Sequence, residues 1–500
     1  MQIVWFKRDL RIFDNEVLSR ACIEGPIIPV YIFENELWAN SVMTVRHYTF
    51  LKESLNDLNR ELEKLGQRLI VEYGNCEKVF EKYKVHYGVK KVWSHQETWN
   101  NWVRHRNINL SKWFKANGIK WIEIQQNGVI RNLKSRDGWA KKWNIRMSSN
   151  LSKQVFELKT VSNKKYKIPS LKSLGMKPER NTNLVMGGRR EGLKLLETFL
   201  SSSGENYSKN MSAPSLALIS CSKLSSHISF GTLSIREIFQ SAKERINLLK
   251  NNFCNDNKNW INSISAFLKR LHWHCHFIQK LEDDPNIELR NLHSLYDGMR
   301  EEHFNEKLFE AWHTGLTGFP FVDACMRSLK VNGWINFRMR AMLMSFSSYH
   351  LWLHWKLPAD FLASLFIDFE PGIHYSQAQM QSGTTGINSI RIYNPVKQGK
   401  DHDPHGIFIR KWVPEVSHLD NDCIHNPWLV GKKIKNYPLP IVNERHARNE
   451  AAKKIYSVRN NKKFINLAKE IYLKHGSRKL GARDIVKKKN TNLKQLDLFK

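Results

Sequence analysis

AWHTGLTGFPFVDACMRSLKVNGWINFRMRAMLMSF, residues Ala311 to Phe346, reads as a greasy helix pair interrupted by Trp, Arg and small residues. A core helix keeps polar residues to one outer face. Here Trp334, Phe337, Arg338 and Ala341 recur at i, i+3, i+4 and i+7, so two aromatics and a guanidinium share a face. That combination suits a flat, partly anionic ligand.

The surroundings are helical as well. From Tyr207 to about Val442 nearly everything has helical patterning, with turns at Asn332-Gly333, Pro371-Gly372 and Asn394-Pro395, which predicts a large all-helical domain over 206–445. Upstream, from residue 1 to about 130, short apolar runs alternate with amphipathic segments. Ile3–Phe6, Ile27–Phe33, Leu69–Tyr73, Val89–Trp93 and Trp121–Ile124 read as strands, and Arg46–Leu65 and Val103–Ala116 as helices, so the class is α/β with a parallel, Rossmann-like sheet. Neither GxGxxG nor GxxxxGK[ST] occurs, which leaves a phosphate site at the first turn unsupported. Residues 131–205, rich in Lys, Arg, Asn and Ser, read as a basic, partly irregular connector, and 446–500 as a basic, partly disordered tail.

A net charge of +32 points to an anionic polymer as partner, and 17 Trp and 25 Phe supply stacking platforms for bases. The seven cysteines are scattered and form no CxxC, which argues against a disulfide framework, a zinc ribbon or an iron-sulfur site. QIVWF follows Met1 directly, and no run approaches the roughly 18 apolar residues of a membrane span. The expectation is a cytoplasmic monomer with no membrane contact.

Three constellations could carry chemistry. On the helix Ile264–Glu282, Arg270, Trp273, His274 and Phe277 form a second face beside the core stripe. The string HWHCH places His272, His274 and His276 two apart, whereas a helical metal pair needs three or four, so no metal is expected. In CSKLSSHISFGTLSIRE, Ser222, Ser225 and Ser226 offer hydroxyls and amides near helix starts, where phosphate binds; ordinary serine caps are the alternative. In Phe366 to Pro395, the acids Asp368 and Glu370, the Pro371-Gly372 pair and a Gln- and Thr-rich run predict an irregular, site-building loop. Asp368 is costly to bury alone, and Arg338 or Arg340 is its natural partner, whether in a site or in a plain inter-helix salt bridge.

Over roughly residues 1–445 these pieces resemble the photolyase and cryptochrome family. IVWFKRDLRIFDNEVL resembles its antenna-domain opening; Tyr207 and CSKLS (Ser222, Lys223, Leu224, Ser225) its flavin-phosphate segment; RLHWHCHF the helix with a lesion-side Trp, here Trp273; and TGFPFVDACMRSL, GWINFRMR, RIYNP and FIRKWVPE its FAD-binding motifs. The resemblance implies FAD as cofactor, held also by Arg270, Trp273, His274, Phe277, Arg338, Arg340, Asp368 and Glu370, with an antenna chromophore of unidentified type as a second one. It implies UV-damaged DNA as partner, met by Arg270, Trp273, Trp334, Phe337, Arg338, Met380 and Arg391. Light-driven electron transfer to a pyrimidine dimer needs no general base, in keeping with the missing triad or carboxylate dyad.

The departures bear on substrate. Cys221-Ser222-Lys223 stands for the family's Thr-Ser-Arg, Arg270 and His274 for its Glu and Arg, and Phe337 and Ala341 for the Asn and Met of dimer-repairing enzymes or the two His of (6-4) enzymes. Trp312 and Trp355 match the outer and middle tryptophans of the photoreduction relay, while the inner one is replaced near Ala378 to Met380, which leaves Trp352 or a tyrosine as a detour. His374 falls at the position facing the flavin N5 edge, often Asn. The expected function is therefore light-dependent, FAD-dependent splitting of pyrimidine dimers, cyclobutane type favoured. The alternatives are a blue-light-sensing cryptochrome and a nucleic-acid-binding protein without flavin. QLDLF near the end (Gln495, Leu496, Leu498, Phe499) resembles the peptide by which bacterial repair proteins dock on the sliding clamp.

Overall fold

A computed structural model describes residues 1–39, 42–159, 166–179, 184–251, 257–302, 304–431, 433–460 and 462–477. The five apolar runs form strands β1 (Gln2–Phe6), β2 (Ile27–Phe33), β3 (Ile70–Tyr73), β4 (Lys91–His95) and β5 (Lys120–Ile124). Every pairing is parallel, in the order β3-β2-β1-β4-β5. All residues of β1 and β2 are buried, as continuous apolar runs require when helices cover both faces of a sheet. The covering helices are α1 (Glu16–Glu24), α2 (Val45–Lys64), α3 (Cys76–Tyr87) and α4 (Asn101–Ala116). Asn15, Asn75 and Asn100 cap three of them by accepting backbone N–H bonds.

The basic connector is more ordered than its composition suggests. It contains α5 (Trp139–Ser148) and α6 (Arg189–Thr198). Trp139, Trp143 and Met147 recur every four residues and share a core with Phe239, Ile264 and Leu271, so an apolar stripe outweighs the polar composition around it. Between them, the described residues 166–179 carry a short 3-10 turn, Lys172–Leu174, and are held on α2 by bonds such as Tyr48 Oη to Pro169 O at 2.7 Å.

The helical domain is organised by α7 (Ile235–Asn251) and α8 (Asn257–Asp283), then α9 (Glu306–Thr314), α10 (Pro320–Asn332), α11 (Phe337–Ser345), α12 (Lys356–Leu365) and α13 (Pro371–Ser382). The last corrects the expected loop: Pro371-Gly372 is a helix start, with Pro at N1 and an extended Glu370 as N-cap. A β-carbon on Gly372 would lie 2.7 Å from Ile278 Cα, so the glycine lets α13 seat on α8. The stretch after Arg445 is also folded as far as described: α14 (Glu444–Arg459) and α15 (Lys462–His475) bury Ala451, Ile455, Phe464 and Ala468 against Tyr296 and Tyr349. Lys487–Lys489 and Gln495–Phe499 lie outside the described residues.

The two halves meet along a polar seam. Arg8 donates to Ser229 O (2.9 Å) and Ser229 Oγ (2.8 Å), and Arg11 to Gly231 O (2.8 Å). Gly231, at φ +67°, is a close approach where any β-carbon would collide with Arg8 O. No described helix is long and apolar enough to cross a membrane. The six described cysteines are unpaired, and no cluster of metal-ligating residues occurs among the described residues.

Candidate flavin and DNA site

Four segments build the site: the 207–229 stretch, α8, α11 and the turn leading into α13. Arg340 supplies the anchor. Its Nη1 and Nη2 donate to the two oxygens of buried Asp368 at 3.0 and 2.9 Å, its Nε donates to Ile335 O at 2.7 Å, and its guanidinium lies 4.1 Å from the Phe366 ring centre. Of the two partners expected for Asp368, Arg340 is the one that pairs. Arg338 turns toward Tyr393, 5.8 Å from its ring.

Lys223, Arg270 and Arg340 gather around Cys221. Burial pushes the Cys221 thiol up to about 12 while these three cations pull the other way. Lys223 adopts φ +53°, unusual for a side-chain-bearing residue, and burial lowers its ammonium pKa. Tyr207 is buried, with Arg270 at its phenol, which burial drives to about 12. Leu224 is buried beside the part-exposed Ser222 and Ser225.

His274 is half-buried, and its Nδ1, shielded from water, has no hydrogen-bond partner among the described residues. Burial lowers its pKa to about 4 against the pull of Asp368, so the ring is neutral at pH 7. His374 is likewise held near 4 by burial. Its Nε2 lies 2.8 Å from Ala359 O, an acceptor, which assigns the proton to Nε2 and leaves Nδ1 as the free acceptor. Glu370 belongs to the seam: with Arg8, Trp99, Ser229 and His274 it lines a cavity between the halves, and burial pushes its carboxyl up to about 8 despite Arg8 nearby.

The outer rim is aromatic and basic. Arg270 lies 5.8 Å from the ring of Phe337, which is 46% exposed, and its Nη2 is 3.8 Å from Met211 Sδ. Part-exposed Trp273 stacks on buried Phe277 at 5.7 Å. Trp334 is buried, Met380 half-buried and Arg391 exposed. Asn336 was not singled out by pattern, yet its Nδ2 donates to Met211 O and Ser212 O at 3.0 and 2.9 Å and ties α11 to the 207–212 segment.

Of the relay candidates, Trp355 approaches this cluster through Tyr375 and His374. Trp312 is fully buried between Phe309 and Phe361, each 6.0 Å away. Trp355 donates to Asn291 Oδ1 at 2.7 Å and lies 6.2 Å from Tyr375, whose hydroxyl donates to Asp360 at 2.8 Å. Tyr375 adjoins His374 at 5.2 Å.

The donor set fits a flavin dinucleotide. Lys223 and Arg270 beside Ser222 and Ser225 suit a diphosphate, and the solvent-shielded His274 Nδ1, without a partner among the described residues, can meet a ligand atom. A parallel α/β domain seated on a helical domain with this cradle is the architecture of the photolyase and cryptochrome class of flavoproteins. The chain belongs to the DNA photolyase/cryptochrome family: residues 2–137 match DNA photolyase, and residues 267–457 the FAD binding domain of DNA photolyase. It is 27% identical over 481 residues to the deoxyribodipyrimidine photo-lyase of Agrobacterium fabrum, covering 90% of this chain and 96% of the relative. Cryptochrome-2 of Arabidopsis thaliana is 27% identical over 520 residues, covering 97% and 83%. The crystal structure of an archaeal photolyase from Sulfolobus tokodaii with two FAD molecules superposes with a TM-score of 0.75 at 26% identity, covering 91% of this chain and all of that one.

Proposed function

We propose that the chain is a deoxyribodipyrimidine photo-lyase that splits cyclobutane pyrimidine dimers in UV-damaged DNA, in the cytoplasm. The observation that carries this reading is the rim: Arg270 meets the exposed Phe337 ring and the Tyr207 phenol, and the part-exposed Trp273 follows it one turn along α8, so stacking surface and positive charge stand side by side. FAD held there would supply light-driven one-electron chemistry for the dimer. The protein's part is positioning: Arg340 and Asp368 fix α11 against the α13 turn, Lys223 and the serines hold phosphate oxygens, and His374 offers an acceptor nitrogen inside an apolar wall. Arg338 and Arg391 grip flanking phosphates, and Met380 packs on the lesion.

Illumination of the reduced protein with dimer-containing oligonucleotides tests the proposal; loss of dimers is expected, and persistence of dimers beside a bound, photoactive flavin overturns it. Trp273→Ala should weaken lesion affinity by about 1–3 kcal/mol, the usual worth of base stacking, measured as dimer-containing against intact DNA. Equal discrimination in the variant would move the lesion pocket elsewhere.

A second reading, a blue-light receptor without repair, draws on Arg270 and His274 standing where dimer-repairing relatives carry Glu and Arg. Its relay would run through Trp355 and Tyr375, in ring contact at 6.2 Å, with Trp312 beyond. The best candidate for a second chromophore is a cavity of about 270 Å³ lined by Glu34, Asn35, Cys76, Trp102, His105 and Arg106. Docking of Gln495–Phe499 on a sliding clamp completes the proposal, and a binding assay with the terminal residues deleted decides it.

A further inference from the structure

Behind α13, away from the flavin cradle, two arginines are buried or half-buried with no carboxylate paired to them among the described residues. Arg300 is only 4% exposed. Its Nη1 donates to Ser382 O at 3.0 Å, but Nε and Nη2 have no partner among the described residues. Tyr349, 1% exposed, lies under the same guanidinium, 5.5 Å from ring centre to guanidinium carbon, and its hydroxyl is also unpartnered. Arg459 of α14 faces the pair and spends its donors on neutral groups, Tyr296 Oη at 3.1 Å and Asn388 O at 2.9 Å. Trp352 covers the site, with Arg300 at 4.4 Å and Lys454 at 4.7 Å from its ring.

The carboxylate that acts on Arg300, Glu301, makes its contacts elsewhere. Glu301 accepts from the Arg300 backbone amide at 2.9 Å, accepts from Asn291 at 3.2 Å and lies 3.5 Å from His354. A guanidinium remains protonated at neutral pH, and a charge taken out of water without a counter-charge is among the costliest arrangements in a fold. Water could satisfy the three orphan donors but not the charge. The backbone here is itself unusual. Tyr349 sits on a π-helical turn, Phe346–His350, and Trp352 adopts φ +53°; both are features that tend to persist where a ligand requires them.

We infer that Arg300, Tyr349, Arg459 and Lys454 form a second anion site that takes a phosphoryl oxyanion, separate from the flavin cradle. Arg300 Nε and Nη2 bind two oxygens of one face, the Tyr349 hydroxyl donates to the ion, and the half-buried Arg459 with the exposed Lys454 at the Trp352 edge provides the entry. Because Arg459 and Lys454 belong to α14, occupancy would clamp the C-terminal helices onto the π-turn.

The test uses the full-length, FAD-loaded protein, so that the flavin cradle is already filled. Calorimetric titration with inorganic phosphate, against chloride at matched ionic strength, should show saturable binding and a matching rise in thermal midpoint. Tyr349→Phe should weaken it roughly tenfold, the worth of one hydrogen bond to a charged group. Lys454→Gln, on the exposed side, should weaken it with no loss of folded protein, and Arg300→Gln should abolish it. Competition by a short undamaged oligonucleotide identifies a backbone phosphate as the source, and binding without competition a free ion. No saturable phosphate response in the wild type, or wild-type affinity in both Tyr349→Phe and Lys454→Gln, overturns the site.

Discussion

Asp368 and Glu370 stand two residues apart and are both buried, yet they live in opposite worlds. Asp368 lies at the proposed flavin cradle and receives a two-pronged guanidinium from Arg340. Glu370 faces the seam between the halves, where the nearest guanidinium, that of Arg8, is committed to Ser229 and stacked 3.3 Å from the Trp99 ring centre. The difference is one of alignment rather than distance from charge. A fork that meets a carboxylate edge-on can compensate its desolvation, whereas a cation engaged elsewhere only moderates it, so burial drives the Glu370 carboxyl up to about 8.

The largest effect should come from breaking the aligned pair. Arg340→Leu strands Asp368 in a buried position, and because Arg340 is itself about a quarter exposed the loss should fall at the lower end of the usual 3–5 kcal/mol, with FAD retention falling as well. Denaturant midpoints with and without FAD measure it; a loss below about 1 kcal/mol would mean that the pair is dispensable.

Next in size is a pH effect at the seam. The Glu370 pKa is raised in the folded state, so the folded protein holds a proton that the unfolded chain releases. Its stabilising contribution is complete below about pH 4.3 and is lost as pH rises through about 8. Glu370→Gln cannot ionise. The variant should match the wild type near pH 4.5, gain on it by up to about 1.4 kcal/mol per pH unit as the pH rises toward 8, and level off above. Asp323, raised to about 6 by burial, slopes the same way but is common to both proteins and cancels in the difference. Parallel curves across that range would show that Glu370 is ionised throughout.

The asymmetry between these two acids also marks how far the sequence could be read. Strands were legible because β1 and β2 are buried along their whole length, which leaves a continuous apolar run. Which arginine meets Asp368 was not, since Arg338 and Arg340 lie about 200° apart on α11 and the choice depends on where that helix starts. Arg8, which meets Glu370's side of the turn, is 362 positions away and is brought there by the seam, a contact that no local pattern encodes. Helix α13 was hidden by its Gln, Ser and Gly content and forms because Gly372 fits against Ile278. Trp139, Trp143 and Met147 did carry the four-residue spacing of α5, masked by the basic residues among them.

Arg8→Lys gives the smallest expected change and separates charge from alignment most cleanly. Lysine keeps the positive charge at the seam but lacks the planar fork whose Nε and Nη2 reach Ser229 O and Ser229 Oγ from two separate nitrogens, and its ammonium stacks poorly on Trp99. The cost should be about 1 kcal/mol, from the weakened cation–π contact and one hydrogen bond. The pH window of Glu370 should stay near its wild-type position, because the charge that moderates it is retained. Arg8→Gln removes that charge, and the same titration should then move upward, since desolvation would act with less opposition. Equal windows in the lysine and glutamine variants would show that Arg8 acts on Glu370 only by holding the two halves together.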